Sequence, residues 1–216
     1  MSTHDTAIVF VHGLWLTGVE STFLRRRLAT DLDCATHTFR YPSVSASMPD
    51  IVQRLQEFSA RLEVRALHFI GHSLGGIVLL RFFDQAPALP PGRVVLLGSP
   101  VRGSRSARNV ARWPLAATVM GRNVEAEVLE PRQPRWNHPR EVGVIAGDLS
   151  LGLGRLFGEL GGPNDGTICV EETELPGATD RIVLRVSHTG LLFSADVAHQ
   201  TAAFLANGRF EARRSA

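Results

Sequence analysis

The sequence predicts an α/β fold of three layers, a mostly parallel twisted sheet of about six strands with helices on both faces. Two observations lead there. Residues 7–11, 66–70, 93–97 and 142–146 are short, nearly continuous apolar runs. Such runs suit strands covered on both sides, as in parallel sheets. Between them lie longer segments whose apolar residues recur at helical spacing. The 216 residues, 44% of them hydrophobic and 20% charged, suffice for one sizeable core. We therefore expect a single domain over 1–216.

In order, the first strand is Ala7-Ile8-Val9-Phe10-Val11, ending in His12-Gly13-Leu14-Trp15. A helix over 20–32 follows from the spacing of Phe23, Leu24, Arg27, Leu28 and Leu32. Residues 34–39 alternate and read as a second strand. Ser47-Met48-Pro49-Asp50 is a helix start, with Ser47 as cap and Pro49 in the first turn. That helix places Ile51, Leu55, Phe58 and Leu62 on one face. The third strand, 66–70, runs into Gly71-His72-Ser73-Leu74-Gly75-Gly76 and a buried helix beginning Ile77-Val78-Leu79. Strands at 93–97, 142–146 and 181–186 complete the sheet. The last helix spans 194–206, with Ser194 as cap, Asp196 in the first turn and Gly208 past its end. From 101 to 140 the pattern weakens around prolines 114, 131, 134 and 139, with Trp113 and Trp136 among them. One or two helices over the sheet edge are expected there. The glycines between Asp148 and Asn164 predict a mobile loop. The whole stretch 101–164 is expected to be partly irregular and to line the site.

Composition excludes several classes of function. The net charge is +2, too balanced for a nucleic-acid partner. The only basic run, Arg209 to Arg214, reads as a solvated tail. Cys34 and Cys169 make no disulfide framework and no metal spacing, so both are read as buried free thiols. Neither a dinucleotide fingerprint nor a phosphate loop is present, and no cofactor or metal is expected. The polar start, Met1 to Thr6, does not follow the plan of a signal peptide, and no apolar run approaches membrane-spanning length. These readings predict a cytoplasmic protein without stable membrane insertion. Oligomeric state is not readable.

The chemistry centres on Gly71-His72-Ser73-Leu74-Gly75. A strand that reverses into a helix within two residues needs a sharp, strained turn with small neighbours. Gly71 and Gly75 supply them, so Ser73 is the candidate nucleophile at the N-terminus of a helix. A serine hydroxyl needs an adjacent base, oriented in turn by a carboxylate. Of the eight histidines, His188 follows the last strand and would emerge at the same carboxyl edge. His12 and His72 sit in tight turns, His68 lies within a strand and His199 within a helix. His4 and His37 precede that edge, and His138 falls in the irregular stretch. For the carboxylate, Asp165 is favoured over Asp148, with Asp180 third. The order Ser73, Asp165, His188 is the one a nucleophile elbow leads us to expect. An oxyanion needs preorganised donors, and the backbone N–H groups of Leu74 and Leu14 are the candidates. If the second strand lies outside the first, the His12-Gly13 loop and the elbow meet at the sheet's switch point.

Val9-Phe10-Val11-His12-Gly13, Gly71-His72-Ser73-Leu74-Gly75-Gly76, Asn164-Asp165-Gly166 and Ser187-His188-Thr189-Gly190-Leu191-Leu192 together resemble the alpha/beta-hydrolase superfamily. Within it they are similar to small bacterial lipases and esterases without a lid domain. The resemblance spans nearly the whole chain and implies an alpha/beta-hydrolase fold with a minimal cap. It implies Ser73 as nucleophile, His188 as base, Asp165 as orienting acid, and Leu14 and Leu74 as oxyanion donors. The implied reaction is cleavage of a small-molecule ester or lipid through an acyl-enzyme. Leu14, Trp15, Leu16 and Leu74 would then form an apolar wall for an acyl chain in a shallow, open site. Two alternatives use the same crevice: a thioesterase or acyltransferase with these residues, and a non-catalytic binder of hydrophobic ligands.

Overall fold

A computed structural model describes residues 5–85, 87–111, 121, 127–129, 133–151 and 160–212. Six strands form one sheet: β1 (Thr6–Val11), β2 (Ala35–Phe39), β3 (Ala66–His72), β4 (Val94–Leu97), β5 (Val142–Gly147) and β6 (Asp180–Leu184). All neighbours are parallel, in the order β2-β1-β3-β4-β5-β6. The order reverses between β1 and β3, which pair directly with Val11 opposite Gly71. The His12-Gly13 loop and the elbow therefore leave the sheet side by side at its switch point.

Alternation within β1 explains the layers. Ala7, Val9 and Val11 face a core built with Ile51 and Leu55 of α2 (Met48–Ala60) and Val78 and Phe82 of α3 (Leu74–Asp84). Ile8 and Phe10 face a second core with Leu24 and Leu28 of α1 (Thr22–Leu32). Val197 and Phe204 of α5 (Ala195–Asn207) close that side. All five residues are fully buried, which is why the run shows no polar alternation.

The expected caps form. The Ser47 hydroxyl accepts the Asp50 N–H at the start of α2, and Ser194 accepts the Val197 N–H at the start of α5. Gly208 closes α5 with φ 75°. Leu62 falls beyond α2, after the Arg61 C-cap. The helix expected from residue 20 begins as a single 3-10 turn, Val19–Ser21, before α1. Between 101 and 140, α4 (Arg105–Ala111) is one expected helix. Trp113, Pro114 and Pro131 lie outside the described residues, as do His4 and, from the expected loop, 152–159. Cys34 and Cys169 are both free and buried. Among the described residues, no helix is long and apolar enough to cross a membrane.

Candidate active site

Ser73 sits between β3 and α3 with φ 55° and ψ −122°, a conformation that L-residues rarely adopt. Sterics explain why the surrounding positions are glycine. A Cβ on Gly75 would stand 2.1 Å from the Val11 carbonyl oxygen, and one on Gly71 would stand 2.7 Å from the Gly76 backbone. Backbone atoms cannot step aside, so the turn admits no side chain there. The Ser73 N–H donates to the Leu97 carbonyl at 3.0 Å, tying the turn to β4.

Asp165 and His188 come together over the ends of β4 and β5. His188 Nδ1 lies 2.7 Å from Asp165 Oδ2. The other carboxylate oxygen accepts the N–H groups of Thr167 at 2.9 Å and Ile168 at 2.7 Å. The backbone repeats the link, with the His188 N–H donating to the Asp165 carbonyl at 2.8 Å. Asp165 is only 1% exposed, so the carboxylate addresses the ring and these amides rather than water. Asp148 is exposed, and its N–H serves the Leu184 carbonyl at the end of β6. The Asp180 carboxylate accepts the N–H groups of Arg181 and Phe210 at the opposite end of that strand.

Ser73 and His188 line one mostly apolar cavity of about 400 Å³. The hydroxyl and the imidazole share it without a hydrogen bond between them. Leu14, Trp15, Leu16 and Leu74 form one wall, with Ala107 and Val110 of α4, Val128, Leu151 and Ile168 on other sides. Leu74 is the first residue of α3, so its N–H belongs to the turn a helix leaves unbonded. Leu14 faces the same cavity from the loop after β1.

Two histidines of the motifs hold this edge together. His12 is buried; its Nδ1–H donates to the Gly13 carbonyl and its Nε2 accepts the Tyr41 N–H. The Tyr41 hydroxyl donates back to the His12 carbonyl at 2.7 Å, and the two rings stack with centroids 4.3 Å apart. Burial lowers the pKa of His12, so the ring stays neutral in this bonding pattern. His72 lies inside the elbow. Its Nε2–H donates to the His188 carbonyl at 3.1 Å, and the two rings approach to 4.8 Å. Burial, followed by the neighbouring His188, pushes its pKa down to about 3. His72 Nδ1 is buried without a partner. From the sequence both are turn residues, marked only by their place one residue from Gly13 and from Ser73.

One further carboxylate braces the wall. Glu172 is buried and accepts the Cys169 N–H at 2.8 Å and the Arg105 N–H at 2.6 Å. It joins the first residue of α4 to the turn that follows the Asp165 loop, and burial raises its pKa. Its role was not legible, because its partners are backbone amides distant in sequence. Among the described residues, no cluster of His, Cys, Asp or Glu could hold a metal ion.

A strained serine at a strand–helix turn, over a six-stranded parallel sheet, defines an alpha/beta hydrolase. The chain belongs to the alpha/beta hydrolase family, whose model matches residues 8–207. Its fold is similar to that of the mature lipase BlEst2 of Bacillus licheniformis, at 21% identity and a TM-score of 0.69. That match covers 95% of this chain and 92% of the other. It is also similar to the RedJ thioesterase of the Streptomyces coelicolor prodiginine pathway, at 16% identity and a TM-score of 0.62, covering 94% and 86%. A lipase-esterase related protein of Clostridium acetobutylicum matches at 14% identity and a TM-score of 0.58, covering 95% of each chain. A search of curated protein sequences finds no match.

Proposed function

We propose that this hydrolase cleaves carboxylic esters through an acyl-enzyme, with Ser73, His188 and Asp165 as its catalytic triad. Substrate in the cavity brings the Ser73 hydroxyl to His188 Nε2, a contact that often tightens only in the complex. The oxygen attacks the ester carbonyl carbon as the imidazole takes its proton. The oxyanion accepts from the Leu14 and Leu74 N–H groups. Collapse expels the alcohol, which takes the proton back from His188. Water then repeats the sequence, releases the carboxylic acid and restores Ser73. Asp165 accepts the Nδ1–H, which leaves Nε2 as the acceptor facing the cavity, and it stabilises the imidazolium.

The buried 2.7 Å bond between Asp165 and His188, beside a serine in a strained turn, carries this reading. The apolar wall favours an acyl group of short to medium length. Labelling by a fluorophosphonate tests the nucleophile, and p-nitrophenyl esters of increasing length test the reaction. Ser73→Ala should lose both labelling and turnover. Full esterase activity in that variant would sink the mechanism. The thioesterase neighbour gives acyl thioesters a place in the same panel, since the residues would serve equally. Turnover of thioesters but not oxygen esters would select that second reading.

A further inference from the structure

Among the described residues, the large hydrophobic side chains left exposed are Trp15, Val19, Phe23, Leu151 and Phe193, each 42–59% exposed. They are not scattered. Trp15, Leu151 and Phe193 line the cavity that holds Ser73. Val19 and Phe23 flank Glu20, which lines it too. Phe193 immediately precedes the cap of α5, and α5 packs against α1, so Phe23 and Phe193 mark the same ends of neighbouring helices. Single exposed apolar residues need no explanation, but a cluster of them at and beside one opening does.

Charge accompanies the cluster. Val19, Phe23 and Arg26 follow one another at helical spacing, and all three are exposed. Arg40 follows β2, in the loop whose Ser43 hydroxyl accepts the Trp15 N–H at 3.1 Å. Arg25 is near enough to Arg40 and Arg26 for both to act on its charge, after burial. Nearby acids are engaged: Glu20 accepts the Gly18 and Thr17 amides, and Asp31 pairs with Arg27. Arg26 and Arg40 have no ion-pair partner among the described residues.

We infer that this rim is a docking surface for an anionic lipid surface. Val19, Phe23 and Phe193 enter the interface while Arg25, Arg26 and Arg40 meet the headgroups. Apolar tips flanked by arginines are what a peripheral contact with anionic lipid requires. A neutral protein partner would have no use for the arginines. The inference rests on the ester-hydrolase reading only for its purpose, which is to open the cavity toward an acyl chain still in the lipid phase. The binding itself stands without catalysis.

The test is co-sedimentation of the full chain, carrying Ser73→Ala so that no lipid is consumed. The vesicles are phosphatidylcholine alone, or phosphatidylcholine with about a quarter phosphatidylglycerol. Binding should be about tenfold stronger on the anionic vesicles and should weaken as salt is raised. Arg26→Glu with Arg40→Glu, and separately Val19→Ser with Phe23→Ser, should each cut it about tenfold. In the Ser73 background, the same pairs should leave turnover of a soluble short-chain ester within about twofold. Equal binding to both vesicles, no binding, or variants that bind like the parent would overturn the proposal. So would arginine-dependent turnover of a soluble acyl thioester of a phosphorylated thiol without vesicle binding, which would assign the arginines to a soluble donor. Vesicle binding with no turnover of any ester would leave this surface standing and remove the hydrolase reading.

Discussion

The elbow and the loops that carry Asp165 and His188 lie at one sheet edge, yet different forces position them. Ser73 is placed by backbone sterics. Its neighbours are glycine because main-chain atoms of Val11 and Gly76 occupy the space a Cβ would need. His188 is placed by hydrogen bonds: Asp165 to its ring, the Asp165 carbonyl to its N–H, and the His72 ring to its carbonyl. Steric placement leaves a short fixed motif in the sequence. Placement by hydrogen bonds leaves only residue types in an order, because partners 23 or 116 residues apart can meet. The first kind tolerates no added atom, whereas the second tolerates exchange but not loss of a partner.

Asp165→Asn should give the largest effect. It keeps the shape but offers the ring the wrong partner, so ester turnover should fall about 10⁴-fold with little loss of stability. A drop below tenfold would remove Asp165 from the proposed triad. Gly75→Ala attacks the steric half. Its methyl would stand 2.1 Å from the Val11 oxygen, and thermal unfolding should show about 4 kcal/mol of destabilisation.

His72 joins the two halves, and its loss should be milder. His72→Gln can still donate to the His188 carbonyl and should cost about tenfold in kcat with KM nearly unchanged. The same residue sets a pH signature. His72 is pushed down to about 3 and His68 to about 4, both first by burial. Both rings are therefore neutral in the folded protein, while the unfolded chain takes protons near pH 6.5. Their contribution should be constant above that pH and fall as the medium is acidified toward 4, by up to about 1.4 kcal/mol per unit for each histidine. Unfolding midpoints measured from pH 7 to pH 4 should fall less steeply in His72→Gln than in the parent. Glu172, whose pKa burial raises, works in the opposite sense: the fold holds its proton more tightly than the unfolded chain, so its contribution is present at low pH and is lost as the pH rises through its folded value. The smallest effect belongs to Asp148→Asn, on the exposed rival carboxylate, which should leave turnover within about twofold.

The same contrast explains what was legible. Strand runs, caps at Ser47 and Ser194 and the Gly208 stop are local, and residues 6–11 and 195–207 fall where their patterns put them. Chain order admits both Asp148 and Asp165, and the motif Asn164-Asp165-Gly166 alone singles out the latter; the structure brings Asp165 to His188 through a loop that folds back over β5. His72, Glu172 and the backbone of Trp15 were not legible. Trp15 holds φ 60°, unusual for a bulky side chain, and nothing in His12-Gly13-Leu14-Trp15 announces it. The brace that Glu172 makes between α4 and residue 169 depends on backbone amides, which have no sequence signature.

In the proposed mechanism the hydroxyl at 73 is activated by the imidazole at 188 across the shared cavity. The most direct measurement is the rate of fluorophosphonate labelling, followed by intact mass and peptide mapping, in the parent and in His188→Ala. One adduct is expected, on Ser73, formed at least about 10³-fold more slowly without the imidazole. An adduct elsewhere, or a rate indifferent to residue 188, would contradict it.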